Sequence, residues 1–215
     1  MKLWHVVGVA MMGVMGSGLA QEFGTIKLPP PETAGGMPLM QALKARQSSR
    51  EFSSQPLPPQ QLSNLLWAAS GENRPDTGKR TAPSARDWRE IDVHVITADG
   101  AYRYDAAGHA LIKVADGDIR HLAGVQDFVA TAPLNLVYVA NFDRMSGASA
   151  EDKALYSATD TGFIAQNVYL YGASAGLAVV VRGLVDREAL GAALGLGKHQ
   201  RIILAQTVGY PAGGR

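Results

Sequence analysis

Two arginines and two serines fall within five residues at Arg46-Gln47-Ser48-Ser49-Arg50, followed by Glu51 and Phe52. Guanidinium groups are planar forks of donors that match phosphate oxygens, and serine hydroxyls and free backbone N–H groups complete such a cradle. The run therefore reads either as an anion-binding loop or as a solvated connector. Other chemistries find little footing. The absence of cysteine removes disulfides, thiolate nucleophiles, cysteine-ligated zinc and iron–sulfur clusters. The five histidines are scattered without ligand spacing, so no protein-ligated metal is expected. Neither GxGxxG after a strand nor GxxxxGK[ST] occurs, so the usual dinucleotide and P-loop signatures are missing.

The elements that must position this loop belong to one domain. A chain of 215 residues that is 47% hydrophobic and 18% charged buries a sizeable core, and a net charge of +1 disfavours nucleic acid as a partner. Residues 1–20 read as a signal peptide: Lys2, the apolar run Val6 to Met15, then Gly18-Leu19-Ala20 with small residues at −3 and −1 before Gln21. That run is short for a membrane span, so the expectation is cleavage, with a retained amphipathic anchor as the alternative, no stable membrane insertion after cleavage, and a periplasmic or otherwise exported protein. Residues 21–36, with Leu28-Pro29-Pro30-Pro31, form an extended arm that lies on the domain or across a partner subunit.

From 37 to 215 helices and strands alternate. Helices are expected from Met37 to Arg46 with Leu39, Met40 and Leu43 on one face, and from Gln60 to Ser70 with Leu62, Leu65, Leu66 and Ala69 inward. Trp67 reads as packing, Glu72 to Thr81 as a loop, and Thr81 to Trp88 as the start of a short helix. Strands are expected at Ile91 to Ala98, after the Asp99-Gly100 turn, at Gly108 to Val114, at Leu134 to Val139, at Leu177 to Val181 and at Ile202 to Val208. Further helices fall at Asp118 to Ala130, Ala150 to Ala175 and Asp186 to Leu194. The longest carries a stripe of Leu155, Ala158, Thr159, Gly162, Phe163, Gln166, Asn167, Leu170 and Ala173, with a Gln166-Asn167 pair that bonds either internally or to a ligand, the first being favoured. The class is α+β.

Several segments in order resemble the nitroreductase-like flavoproteins: Arg46-x-Ser-x-Arg50-x-Phe52, Ala82-Pro83-Ser84-Ala85, Ala165-Gln166-Asn167, Gly176-Leu177, Val180-Val181-Arg182-Gly183 and Gly209-Tyr210-Pro211. Leu28-Pro-Pro-Pro, Leu65-Leu66-Trp67-Ala68-Ala69 and Asn73-Arg74-Pro75 bring the chain nearest to the SagB-type branch, related to the dehydrogenases that form thiazoles and oxazoles in peptides. The resemblance implies a mixed central sheet flanked by helices, an intertwined homodimer, and FMN at the dimer interface. It implies that Arg46, Gln47 and Ser48 hold the phosphate and ribitol, and that Arg50 reaches the pyrimidine edge, where it stabilises the anionic reduced ring. Pro83, Ser84 and Ala85 would line the flavin from the partner subunit. Val180, Val181, Arg182 and Gly183 would run beside the ring, and Arg215 would meet the phosphate.

The function so implied is an exported FMN-dependent oxidoreductase moving hydride through flavin N5 to or from a small-molecule acceptor or donor, of nitroreductase, quinone-reductase or SagB-type dehydrogenase kind. NAD(P)H is an electron donor the family allows, although it is scarce outside the cytoplasm. No protein nucleophile is needed. One departure bears on this: where relatives carry an asparagine that bonds the flavin, this chain has Asp87. A carboxylate cannot donate and its charge opposes an anionic ring, so Asp87 either turns away to Arg86 or Arg89 or lowers the flavin potential, the first being favoured. The alternative function is a non-catalytic flavin carrier or structural dimer of the envelope.

Overall fold

A computed structural model describes residues 24–213. The signal-peptide expectation, its cleavage site and Arg215 lie outside the described residues.

The frame is a seven-stranded sheet. Its strands are β1 (Thr25–Lys27), β4 (Ile91–Thr97), β5 (Gly100–Asp105), β6 (Ala110–Asp116), β7 (Leu134–Asn141), β8 (Ala178–Arg182) and β9 (Gln200–Gly209), in the order β1-β6-β5-β4-β7-β9-β8. Every pairing is antiparallel, which corrects the expected mixed sheet. The order strand, long helix, strand from β7 to β8 suggests a parallel pair. Instead β9 inserts between those two strands and runs antiparallel to both.

The central strands β4 and β7 are buried on both faces, and their alternation divides the core in two. Val93, Val95, Leu136 and Tyr138 face helices α2 (Pro59–Ser70) and α4 (Ala150–Ala175). Ile96, Val137, Val139 and Ile202 face α5 (Arg187–Ala193) and the connection before β7. Helix α2 buries Leu65, Leu66 and Ala69 as its period requires, and the Trp67 indole N–H donates to the Glu72 carbonyl at 3.1 Å.

Helix α4 organises the molecule, and its phase is the reverse of the expected one. Ser149 caps it by accepting from the Asp152 N–H at 3.0 Å, and Gly176 ends it in the left-handed region at φ 70°. Its inward residues are Ser157, Asp160, Thr161, Ile164, Ala165, Val168, Tyr169 and Gly172. The stripe containing Leu155, Ala158, Thr159, Gly162, Phe163 and Gln166 faces outward. A helix apolar on both sides leaves its phase undetermined by period alone. Gly172 helps decide it, because a Cβ there would collide with Val179 of β8. Leu39, Met40 and Leu43 of the short helix α1 (Leu39–Ala45) are exposed as well, and that helix buries only Ala42.

Two smaller expectations change. Glu72–Arg74 (β2) and Lys79–Arg80 (β3) form a two-stranded hairpin rather than a loop. The expected helix over 118–130 is broken into a single turn at Arg120–Ala123 and a short helix α3 (Phe128–Thr131). Between them Gly124 is extended, and a side chain there would run into the Arg182 guanidinium. The arm lies on its own domain: β1 extends the sheet beyond β6, and the Pro29 carbonyl accepts from the Ser63 hydroxyl at 2.6 Å.

His94, on β4, is 2% exposed, its Nδ1 has no hydrogen-bond partner, and burial pushes its pKa down to about 4. In the unfolded chain it titrates near 6.5, so folding disfavours the proton it would take up. The stability this neutral imidazole permits is complete above pH ~6.5 and is lost as pH falls toward ~4, by about 3 kcal/mol at most. Urea unfolding at pH 7 and pH 4 is expected to show a larger acid loss in the wild type than in His94→Gln. Equal losses would clear His94 of the effect.

Candidate cofactor site

Helix α1 ends at Arg46, whose backbone leaves the helical region at ψ 123°. The chain then runs along the open edge of β8, where the Ser49 N–H donates to the Val179 carbonyl at 2.9 Å. The Tyr169 hydroxyl, from α4, ties the loop to the strand. It shares a hydrogen bond with Ser48 Oγ at 2.8 Å and accepts from the Val181 N–H at 2.9 Å. The Arg46 guanidinium lies 5.3 Å from the centre of the Tyr169 ring. Phe52 bridges to Pro211, which brings the Gly209-Tyr210-Pro211 segment beside the loop. Gln47, Ser49, Tyr169, Val179 and Pro211 line a hollow of about 180 Å³.

Among the described residues, neither Arg46 nor Arg50 has a carboxylate partner or a side-chain hydrogen bond. The Gln47 amide is likewise unengaged. Three other arginines are ion-paired, Arg89 to Asp87, Arg120 to Asp118 and Arg144 to Asp92, whereas Arg86, Arg103 and Arg201 are unpaired among the described residues but lie away from this edge. Two unpaired cations and a free amide on one sheet edge, beside the apolar residues Val179 to Val181, match the donor set that a phosphate on a flat apolar ring requires.

Arg182 continues β8 after Val181, but its side chain turns away from this edge. Its guanidinium is buried behind the strand and donates to Thr207 Oγ1 at 3.1 Å, the Ala123 carbonyl at 2.8 Å and Asn135 Oδ1 at 3.0 Å. Burial lowers its pKa to about 10, which leaves it charged at neutral pH. The side chain is structural, and only its backbone lies on β8 beside Val180 and Val181. Gly183, just past the strand, is exposed, and its carbonyl accepts from Arg187 at 3.2 Å.

Pro83, Ser84, Ala85 and Asp87 sit elsewhere. Pro83, Ser84 and Asp87 line a second cavity of about 230 Å³ with Arg74, Arg80, Glu90 and Asp160. Asp87 is paired with Arg89: its carboxylate takes that guanidinium in two bonds of 2.8 and 2.5 Å, and these hold its pKa below the usual carboxylate range. The two clusters are anchored to α4 at different heights. The loop 46–50 meets Tyr169, whereas the Ala85 N–H donates to Asp160 Oδ2 at 2.9 Å. Nine residues of helix separate those anchors by about 14 Å and two and a half turns. One chain therefore does not bring 83–87 to 46–50.

Gln166 and Asn167 form no hydrogen bond through their side chains among the described residues, so the internal bonding expected of them does not occur. Gln166 lies on the outward face of α4. Gly172-Ala173-Ser174-Ala175-Gly176 spells the letters of a hydrolase nucleophile elbow, but it closes a helix instead of joining a strand to one. Ser174 Oγ is engaged by the Met37 N–H at 2.7 Å. Three residues that matter here escaped sequence reasoning. Tyr169 was hidden by the wrong phase for α4, and Glu90 and Asp160 lie 70 positions apart with no local pattern to join them.

A family profile described as "Nitroreductase family" matches residues 43–210. A candidate nitroreductase of Methanocaldococcus jannaschii is 34% identical over 161 residues, which cover 70% of this chain and 81% of the relative. The crystal structure of a candidate nitroreductase from Ralstonia eutropha is 44% identical, with a TM-score of 0.84 over 95% of this chain and 97% of that one. More distantly, an NADPH:FMN oxidoreductase from Vibrio harveyi, solved with NAD+, shares the fold at 19% identity and a TM-score of 0.61, over 82% of this chain and 70% of that one.

Proposed function

From the premise that this chain belongs to the nitroreductase family and is an oxidoreductase of that family, we propose that it binds FMN and passes hydride between two small molecules. The observation that carries the reading is the pair of unpaired cations, Arg46 and Arg50, on the apolar edge of β8. When bound, FMN supplies the two-electron chemistry. The chain's own residues do the rest. Arg46, Gln47 and Ser48 hold the phosphate end, and the family resemblance adds Arg215 to them. Arg50 places positive charge at the polar edge of the ring, and the backbone of Val180 to Gly183 flanks it. Asp87, held by Arg89, keeps its charge off the ring.

The site is completed by a second copy. Each chain carries the 46–50 loop and the 83–87 turn on separate parts of α4, so the two meet only across a partner whose helix runs the other way. The outward faces support this: Leu155 is 60% exposed, Phe163 44% and Met40 75%, an apolar surface with small residues Ala158 and Gly162 between. Phe163→Arg is expected to give monomers by analytical ultracentrifugation and to lose FMN with the dimer. A dimeric variant with wild-type FMN retention would refute this arrangement.

Within the family, the ordered motifs from Leu28-Pro-Pro-Pro onward favour a SagB-type, dehydrogenase-like relative. The pattern of residues 1–20 favours export and cleavage after Ala20, which N-terminal sequencing of the protein from its own compartment would test. NAD(P)H is the donor to try first, on the example of the Vibrio harveyi oxidoreductase. Protein purified from its own compartment is expected to show a flavin absorption spectrum and to reduce nitroaromatic or quinone acceptors. Colourless protein that takes up no added FMN would end the proposal, and bound FMN that reduces but passes no electrons on would favour a carrier.

A further inference from the structure

Where the 83–87 turn meets α4, two carboxyl groups are buried together: Glu90 is fully inaccessible and Asp160 is 2% exposed. Each grips a different part of the turn. The Ser84 hydroxyl donates to Glu90 Oε2 at 3.2 Å, and the Ala85 N–H donates to Asp160 Oδ2 at 2.9 Å. The Arg89 N–H closes the ring by donating to Ser84 Oγ at 2.8 Å. The turn needs such anchors, because Arg86, Asp87 and Arg89 all take left-handed backbone angles, with φ of 51°, 58° and 50°. Side-chain-bearing residues rarely adopt that region, and the strain persists only where the surroundings impose it.

Neither carboxyl forms an ion pair among the described residues. The charged groups lining the same cavity are Arg74, Lys79, Arg80, Asp87 and Arg89. Of these, Arg89 is taken by Asp87, Arg74 donates to the Arg80 carbonyl, and Arg80 donates to Ser70 Oγ while its buried Nε has no partner; Lys79 is exposed, and neither it nor Arg80 pairs with Glu90 or Asp160 among the described residues. Two carboxyls buried in one site oppose each other's ionisation unless a cation pairs with them, and none does so among the described residues. Glu90 Oε1 has no hydrogen-bond partner, so an ionised Glu90 would bury an unanswered acceptor. Burial, and beyond it the Asp160 charge, raises the Glu90 pKa above the ordinary 4.5, in accord with the geometry.

We propose that Glu90 and Asp160 share one proton and act as a clamp that holds the Ser84–Arg89 turn in its strained shape. Both are positioning residues. The clamp's link to the cofactor rests on the FMN reading above, in which this turn lines the ring. Removing the shared proton sets two carboxylates against each other and releases the turn. Because the folded protein keeps a proton that unfolded Glu90 gives up near 4.5, the stability it confers is full below that pH and lost as pH rises through the folded value.

The test compares the full-length wild type with Glu90→Gln, whose amide keeps the acceptor for Ser84 and donates permanently to Asp160. Thermal unfolding without added FMN, followed from pH 5 to pH 10, is expected to show the wild type losing stability relative to Glu90→Gln as pH rises. FMN titration over the same range is expected to show the wild-type Kd rising about tenfold per pH unit above the pKa of the pair, with Glu90→Gln nearly flat. Parallel melting profiles overturn the shared proton, whatever FMN does. Divergent melting profiles with a flat wild-type Kd confine the clamp to stability and overturn its link to the cofactor. Divergent melting profiles with no FMN binding at any pH uphold the clamp and overturn the FMN reading instead.

Discussion

Arg46→Ala is expected to raise the Kd for FMN about 10- to 150-fold, since a hydrogen bond to a charged group contributes roughly 1.5–3 kcal/mol. The side chain has no carboxylate to lose and is held only over the Tyr169 ring, so its removal costs the folded domain little. That separation makes the experiment clean: affinity should fall while the melting temperature of the cofactor-free protein barely moves. Arg46→Lys should recover only part of the binding, because an ammonium keeps the charge but not the planar fork. Arg50→Ala has a different signature. If Arg50 lies at the polar edge of the ring, FMN is retained within a few-fold while its midpoint potential drops. Isothermal titration and a redox titration distinguish the two roles. FMN affinity of Arg46→Ala within threefold of wild type would remove the loop from the cofactor site.

The second large effect is on stability. Arg182→Ala is expected to cost about 3 kcal/mol, because it strips three acceptors of a charged donor and opens a void in the core. The Ala123 carbonyl has no other partner among the described residues, whereas Asn135 Oδ1 still receives the Thr207 hydroxyl at 2.7 Å. In a domain of this size that loss lowers the melting temperature by about 6–12 °C. Arg182→Met restores much of the volume and also relieves a buried charge that has no counter-ion, so its loss should be smaller. Thermal denaturation of both variants decides the matter. An Arg182→Ala protein as stable as wild type would mean that the guanidinium is not anchored as described. Such a result would also reopen a cofactor contact for its side chain.

The contrast between Arg46 and Arg182 shows how far residue types alone can be read. Both are arginines in motifs that the family resemblance attaches to FMN, and sequence cannot distinguish them. The difference comes from what each meets. Arg46 follows the last turn of a short helix on an open sheet edge, where nothing competes for it. Arg182 ends a strand whose even-numbered residues turn toward the 120–132 connection, where Gly124 leaves room for its guanidinium. A period of two states that neighbours on a strand oppose each other, but not which of them faces inward.

Much was determined by sequence alone. The ends of α4 follow from the Ser149 cap and from Gly176, the strands β4 and β7 from runs of branched residues, and the cationic loop from composition over five positions. These are local properties, set by backbone conformation and residue chemistry within a few positions. Three things were decided only by tertiary structure. The insertion of β9 between β7 and β8 makes the sheet wholly antiparallel, and strand order depends on contacts between distant segments. The phase of α4 depends on which of two apolar faces meets the sheet, settled by Gly172 against Val179 and by Tyr169 reaching the edge of β8. The pairing of Glu90 with Asp160 exists because the 83–87 turn packs on that inward face. A carboxyl has no marker for its partner until folding buries both in one place, where neither forms an ion pair among the described residues.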